Sequence, residues 1–258
     1  MIKAAFFDLD GTLFSHRTNT IAPSARQALE ELRRRGVLVF LATGRHRSIL
    51  EGLPQLRDLN YDGAVTLNGG YCYNSSGMIY GNPIHPEDIR NLLNHLDTHP
   101  LPCCLIEDRT MYINFHDQRV SGVHAAIHTP LPPLGDLRRG LDRDIYQILM
   151  YLTDAEYHLL PSLPHCKITK WHHDGIDVIP ATGGKDIGIQ KVLEHYGLSR
   201  EETIAFGDGD NDIDMFRAIH IAVAMGNSND RVKAAAHYVT ADVDEDGIYT
   251  GLKHFGLV

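Results

Sequence analysis

The chain has 258 residues, of which 43% are hydrophobic and 22% charged. These are ordinary globular proportions, and they exclude a disordered or fibrous protein. Lys plus Arg total 24 against 33 Asp plus Glu, a net charge of −9, which argues against a protein that works by coating phosphate backbones and makes nucleic acid an unexpected partner. No apolar run approaches the ~20 residues of a membrane span. The first residues show no basic segment followed by an apolar stretch and a cleavage site. The expectation is a cytoplasmic protein without a membrane partner, monomeric or a weak homo-oligomer.

In chain order, Ile2-Lys3-Ala4-Ala5-Phe6-Phe7 is a short apolar run followed at once by Asp8-Leu9-Asp10-Gly11-Thr12, the pattern of a buried strand ending in a loop. Pro23-Ser24 then opens a segment with Ala25, Ala28, Leu29 and Leu32 at helical spacing, closed by Arg33-Arg34-Arg35 and Gly36, residues suited to a helix C-terminus. Val37–Ala42 is a second apolar run of strand length, ending in Thr43-Gly44-Arg45. Strand, helix and strand form a βαβ unit with parallel strands and a right-handed crossover. The same grammar returns after Gly183-Gly184. A helix starts near Lys185, the strand Thr203–Phe206 ends in Gly207-Asp208-Gly209-Asp210-Asn211-Asp212, and short strands are expected at Ile221–Ala224 and Tyr238–Thr240. Both ends of the chain therefore belong to one Rossmann-like parallel α/β core, residues 1–82 and 181–258.

Residues 83–180 read differently. Their strand-like pieces, Met111–Phe115, Gln147–Leu152 and Ile176–Ile179, are half polar, as in an antiparallel sheet with one wet face. This stretch is expected to be an inserted α+β module, with Pro130-Leu131-Pro132-Pro133 as a local loop. The four cysteines form no C-x-x-C pair, and the sixteen histidines show no zinc spacing, His172-His173 included, so neither a disulfide framework nor a histidine metal site is assigned.

Alternation along a strand turns Asp8 and Asp10 to one side and Leu9 to the other. Paired carboxylates repel unless a cation lies between them, and hard oxygen ligands suit Mg²⁺. Ligands of open parallel sheets bind beyond the carboxyl ends of strands. There the chain delivers Asp8 and Asp10, Thr43, and Asp208 from separate strands, with Lys185 at a helix start. Acids, a hydroxyl and an ammonium together fit a phosphate bound with a divalent cation, one aspartate remaining to attack phosphorus. Asp8 and Asp10 as simple turn residues would leave the other strand-end motifs unexplained. Asn68-Gly69-Gly70 reads as a tight turn needing positive φ and receives no catalytic role.

Asp208–Asp212 and Asp242–Gly247 begin like calcium loops, but Ile213 and Lys253 stand where a glycine and a bidentate glutamate are required. Gly207-x-Gly209 has Asp212 at the third glycine of a dinucleotide fingerprint, where a carboxylate would repel pyrophosphate.

In their order, Asp8-Leu9-Asp10-Gly11-Thr12-Leu13, Thr43-Gly44-Arg45, Lys185 and Gly207–Asp212 resemble the motifs of the haloacid dehalogenase (HAD) superfamily of phosphatases. Asn68-Gly69-Gly70, the long insert and the closing Asp246-Gly247-Ile248 resemble its Cof-type subfamily, with a type IIB cap. The resemblance implies a HAD core with an inserted α+β cap at 83–180 that selects substrate, Mg²⁺ as cofactor, and small phosphorylated metabolites, sugar phosphates among them, as substrates. It implies Asp8 as the nucleophile that forms an aspartyl-phosphate and Asp10 as general acid and base. Mg²⁺ would be held by Asp8, Asp208 and the Asp10 carbonyl. Thr43, Lys185, Asn211 and Arg45 would bind phosphate, with Arg45 able instead to brace its loop, and Asp212 would orient Lys185 or a metal-bound water. A phosphomutase using the same aspartates, or a non-catalytic protein that binds a phosphorylated metabolite, remain alternatives. Asp108, Arg109, His116, Arg119 and Lys170 of the insert are polar side chains near turns to which no role is given.

Overall fold

The computed structural model describes residues 1–127 and 129–258, and the chain divides into two compact units. The first comprises Met1–Arg45, Leu50–Tyr80 and Gly184–Val258; the second comprises His46–Ile49 and Gly81–Gly183. Among the described residues no helix is long and apolar enough to cross a membrane.

The first unit is built on an eight-stranded sheet. Its strands run in the spatial order Tyr238–Val239, Ile221–Ala224, Thr203–Gly207, Ala4–Phe7, Leu38–Ala42, Gly63–Thr66, Tyr71–Asn74 and Gly77–Gly81. Pairing is parallel from the first of these to Gly63–Thr66, and Tyr71–Asn74 joins antiparallel. The fold is therefore α/β with a parallel-dominated sheet. The register fixes the functional edge: Phe7 lies level with both Leu41 and Phe206, and Phe206 level with Val223. The residues that follow each strand consequently emerge side by side.

Both faces of the sheet are apolar because the central strands are covered on each side, which is why they read as unbroken hydrophobic runs. Phe6 stacks on Phe40 with centroids 5.0 Å apart, and Phe7 on Phe206 at 5.2 Å, offset aromatic pairs that add to simple area burial. Since alternate residues face opposite sides, these pairs lie on the two faces. Ile189, Val192 and Leu193 of the helix Lys185–Tyr196 pack on the Phe6–Phe40 side with Met215 and Phe216 of the helix Asp212–Ala218. The helix Pro23–Arg34 buries Ala25, Ala28, Leu29 and Leu32, starts on a proline and ends on Arg33 and Arg34, as its spacing predicts.

Close packing places the start of the Lys185 helix. Gly69, at φ +89°, lies so near Gly184 that a Cβ would fall 1.9 Å from its carbonyl oxygen. One turn into the helix, a Cβ on Gly188 would stand 2.8 Å from Gly69 Cα and from Val65 Cγ1. The Asn68-Gly69-Gly70 turn, with Asn68 and Gly69 at positive φ, thus abuts the helix that presents the lysine.

In the second unit a five-stranded antiparallel sheet runs in the order Cys166–His172, Gly175–Pro180, Gln147–Met150, Cys103–Ile106 and Met111–Ile113. Leu92, Leu93, Leu105, Ile148, Ile176 and Val178 form its core with the helix Pro86–Leu96. His46 belongs here: it is 2% exposed, and its Nε2 hydrogen-bonds the carbonyls of Glu107 and Asp108.

Alanine exceeds glycine by ~1 kcal/mol in helix propensity, whereas overpacking a close contact costs about 1–3 kcal/mol. With the Lys185 helix this close to Gly69, Gly188→Ala destabilises the protein in urea unfolding. A stabilised variant would contradict this packing.

Candidate active site

The D-x-D-G-T segment leaves its strand with the Asp8 N–H donating to the Phe206 carbonyl at 2.9 Å. Asp8 is 6% exposed, and its Oδ1 accepts from Lys185 Nζ at 2.6 Å. The same ammonium donates to Asp212 Oδ1, also at 2.6 Å, and both Lys185 and Asp212 are buried. The other oxygen of Asp212 accepts the backbone N–H groups of Asp208 and Gly209, each at 2.9 Å. Asp212 therefore ties the loop after Thr203–Gly207 to the lysine. The loop makes room for it: a Cβ on Gly207 would fall 2.5 Å from the Asp212 Cγ.

Asp208 completes the cluster. Its Oδ1 accepts from Thr12 Oγ1 at 2.8 Å. A side chain on Gly11, which is at φ +78°, would put its Cβ 2.3 Å from Asp208 Oδ2. The glycine of D-x-D-G-T is thus needed both for its backbone conformation and for the carboxylate lying against it. Asp8, Asp208 and Asp212 each offer an oxygen, all within 4.8 Å of one another.

This charge arrangement is unbalanced. Burial pushes the Asp8 carboxyl well above its ordinary range; Lys185 opposes the shift, and Asp212 and Asp208 add to it by repulsion. Burial likewise raises Asp208 to about 7, with Asp212 contributing. For Lys185, burial favours loss of the proton, but Asp212 and Asp8 outweigh it and hold the ammonium charged. One lysine cannot neutralise three carboxylates in a desolvated site. Clustered hard oxygens whose ionised forms lack sufficient positive charge fit a small divalent cation such as Mg²⁺.

Asp10 has different surroundings. Arg45 clamps its carboxylate with Nε at 2.7 Å and Nη2 at 2.6 Å, and His16 Nε2 stands 3.0 Å from Oδ1. Burial would raise this carboxyl, but hydrogen bonds from His16 and Arg45 hold it at about 2. The His16 imidazole is raised by its bond to Asp10. The carboxylates of Asp8 and Asp10 therefore meet different partners, a buried lysine on one side and an arginine–histidine pair on the other.

The remaining residues singled out in the sequence lie around these two. Thr43 follows its strand with its N–H on the Val65 carbonyl, and its Oγ1 accepts the Arg45 N–H at 3.1 Å. Asn211 Nδ2 donates to Asn68 Oδ1 at 3.3 Å, so the two asparagines join the loop after Thr203–Gly207 to the Asn68-Gly69-Gly70 turn. His16, Thr12, Asn68 and Asn227 are the neighbours that sequence reasoning passed over. Asn227 Nδ2 donates to the Gly11 carbonyl at 2.8 Å, and its Oδ1 accepts the Val243 N–H at 3.0 Å, bracing the loop that holds Asp208. Thr12 and Asn68 lay inside quoted motifs without a role of their own; for His16 and Asn227 no local pattern marks the partner.

The model of the haloacid dehalogenase-like hydrolase family matches residues 5–252. The chain belongs to that family. It is 34% identical over 258 residues to the Bacillus subtilis (strain 168) protein YkrA, covering 99% of this chain and 98% of that one. Among solved structures, the HAD subclass IIB sugar phosphatase BT4131 is 37% identical with a TM-score of 0.89, covering 99% of this chain and 100% of the other. The phosphatase BT1666 from Bacteroides thetaiotaomicron is 32% identical, also at a TM-score of 0.89, over 100% and 96% of the two chains. The protein is a Cof-type HAD phosphatase, a phosphoric monoester hydrolase.

The raised Asp208 carboxyl gives the HAD site a pH signature. Folded protein keeps a proton there up to about 7, whereas the unfolded chain releases it near the ordinary value of 3.8. Without a cation, stability therefore falls as pH rises through that window, and the penalty persists above it. In EDTA, Asp208→Asn should melt above wild type near pH 8 and approach it toward pH 4, while Mg²⁺ should raise the wild-type Tm more than the variant's. A variant less stable than wild type in EDTA near pH 8 would refute the imbalance.

Proposed function

We propose that this HAD phosphatase hydrolyses small phosphate monoesters, sugar phosphates foremost, through a phosphoryl group carried transiently on Asp8. What supports this most is the placement of Asp8 at the shared strand edge with its Oδ1 on the Lys185 ammonium. A carboxylate fixed in this way can approach a phosphorus atom without first being reoriented.

In the first step an Asp8 oxygen forms a bond to phosphorus as the bond to the ester oxygen breaks, and Asp10 supplies the proton that the departing oxygen needs. In the second, water attacks the phosphorus of the aspartyl-phosphate, Asp10 removes a proton from that water, and the bond to Asp8 breaks to release phosphate. Because Arg45 and His16 hold it ionised, Asp10 must first take up a proton from solvent as one of these contacts gives way to the ester oxygen; after donating that proton it is again a carboxylate and can accept one from the attacking water. Lys185, Thr43 and the N–H groups of the strand-end loops would hold the phosphoryl oxygens, with Asn211 at their border. Arg45 acts on Asp10 in this reading rather than on phosphate. Mg²⁺, held by Asp8, Asp208 and the Asp10 carbonyl, would offset the charge on the phosphoryl oxygens as a negative nucleophile approaches them. Asp212 keeps Lys185 in place. Residues 83–180, read as the cap, would select the alcohol part of the substrate, and the sugar phosphatase BT4131 supports sugars as its class.

Release of inorganic phosphate from p-nitrophenyl phosphate and from a sugar phosphate tests this proposal. EDTA should abolish release and Mg²⁺ restore it, and Asp8→Asn should reduce it to background with both substrates. Asp10→Asn should cost about 10²–10⁴-fold with the sugar phosphate, whose leaving oxygen needs a proton, and far less with nitrophenolate, which does not. Turnover that survives Asp8→Asn would refute the nucleophile, and equal losses for the two substrates with Asp10→Asn would refute the acid.

A further inference from the structure

The second unit carries a group of side chains that phosphoryl transfer does not use. His85 precedes the helix Pro86–Leu96, and its Nδ1 accepts the Glu87 N–H at 3.4 Å, a long contact that a metal ion could replace. His165 lies just before the edge strand Cys166–His172, and the two imidazole rings face one another with centroids 4.1 Å apart and a tilt of 31°. Together with the Glu87 carboxylate they present one ligand atom each, all within 4.8 Å of one another. All three are exposed, and His85 and His165 line a cavity of about 960 Å³.

Behind the exposed rings lies a carboxylate with no exposure at all. Asp88 Oδ1 accepts from His165 Nδ1 at 3.2 Å, and its Oδ2 accepts the His165 N–H at 3.0 Å and the Cys166 thiol at 3.2 Å. A carboxylate on one ring nitrogen fixes the tautomer, leaves the lone pair on Nε2 and makes that nitrogen a better donor. This is the usual support for a metal-binding histidine. Holding the turn would require only the backbone N–H; the bond to the ring is additional.

We propose that His85, Glu87 and His165 bind a divalent transition ion of the zinc class, with Asp88 as the positioning residue for His165. Two imidazoles and a carboxylate leave a coordination position open to water. Nitrogen donors select zinc-like ions over Mg²⁺, which prefers an all-oxygen site such as the aspartate cluster of the first unit. Bound metal would join the start of the first helix of the second unit to the start of its edge strand.

The test uses the full chain, stripped of metal and kept in excess Mg²⁺ so that the aspartate cluster does not compete. Zn²⁺ is then titrated by calorimetry and against a chromophoric chelator. The expected result is one Zn²⁺ per chain, with a rise in Tm. His85→Asn, which retains a side chain able to cap the helix, and His165→Gln should each weaken binding by at least about tenfold, and Asp88→Asn by about 10–100-fold. Circular dichroism and the metal-free Tm establish that each variant is folded, and the exposed His85 and His165 positions serve should Asp88→Asn unfold. Absence of zinc binding, binding by both histidine variants equal to wild type, or loss of binding only on Asp208→Asn would overturn the assignment.

Discussion

A single buried ammonium organises the strand edge. Lys185 reaches Asp8 and Asp212 at 2.6 Å each, at a place where Lys185 and Asp212 have lost all contact with water. Transfer of those charges from water costs several kcal/mol per ion, which short contacts recover only in part. Such a group is retained because it fixes geometry. It links the strand Ala4–Phe7, through Asp8, to the loop after Thr203–Gly207, through Asp212, whose second oxygen holds the N–H groups of Asp208 and Gly209. One lysine on a third element thus sets the separation of two strand ends. The helix that carries it is itself placed by the contact of Gly184 and Gly188 with Gly69.

The cluster remains short of positive charge, a deficit that an entering cation would relieve. Were Asp8 and Asp208 fully neutralised by protein groups, their carboxyls would not be raised, and a cation would gain little by entering. The chain instead provides packing that forces the carboxylates together: Gly11 allows Asp208 to lie against the backbone, Gly207 does so for Asp212, and Thr12 aims the Asp208 carboxylate. Stability given up in this way is available as binding energy for whatever positive charge completes the site.

How much of this was legible in the sequence depended on whether a feature is local. Strand ends followed by Asp8-Leu9-Asp10-Gly11-Thr12, Thr43-Gly44-Arg45 and Asp208–Asp212 are contiguous, and parallel pairing brings their ends to one edge, so sheet, edge and cluster could all be read. Asn68-Gly69-Gly70 could be read as a positive-φ turn, but not as the surface that seats the Lys185 helix, because that contact joins distant segments. His16 sits in a tight hairpin of the strands Phe14–Ser15 and Thr20–Ile21, where no periodicity marks its neighbour Asp10. Histidine spacing is silent about long-range neighbours in the same way. His85 and His165 are brought together by the pairing of a helix start with an edge strand, which no H-x-x-x-H pattern records.

Asp10 shows why the neighbours matter as much as the motif. Two aspartates separated by one residue in the same loop differ in direction: burial and repulsion raise Asp8, whereas Arg45 and His16 hold Asp10 at about 2. An arginine and a histidine on one carboxylate make it a weak base as well as a reluctant acid. In the proposed proton transfers its usefulness would depend on how many of those bonds persist when an ester oxygen competes for them. Arg45 binds both oxygens and His16 only one, so loss of the histidine contact is the smaller rearrangement. It leaves the carboxylate aligned by the arginine and removes one of the two hydrogen-bonding partners that hold its proton affinity down.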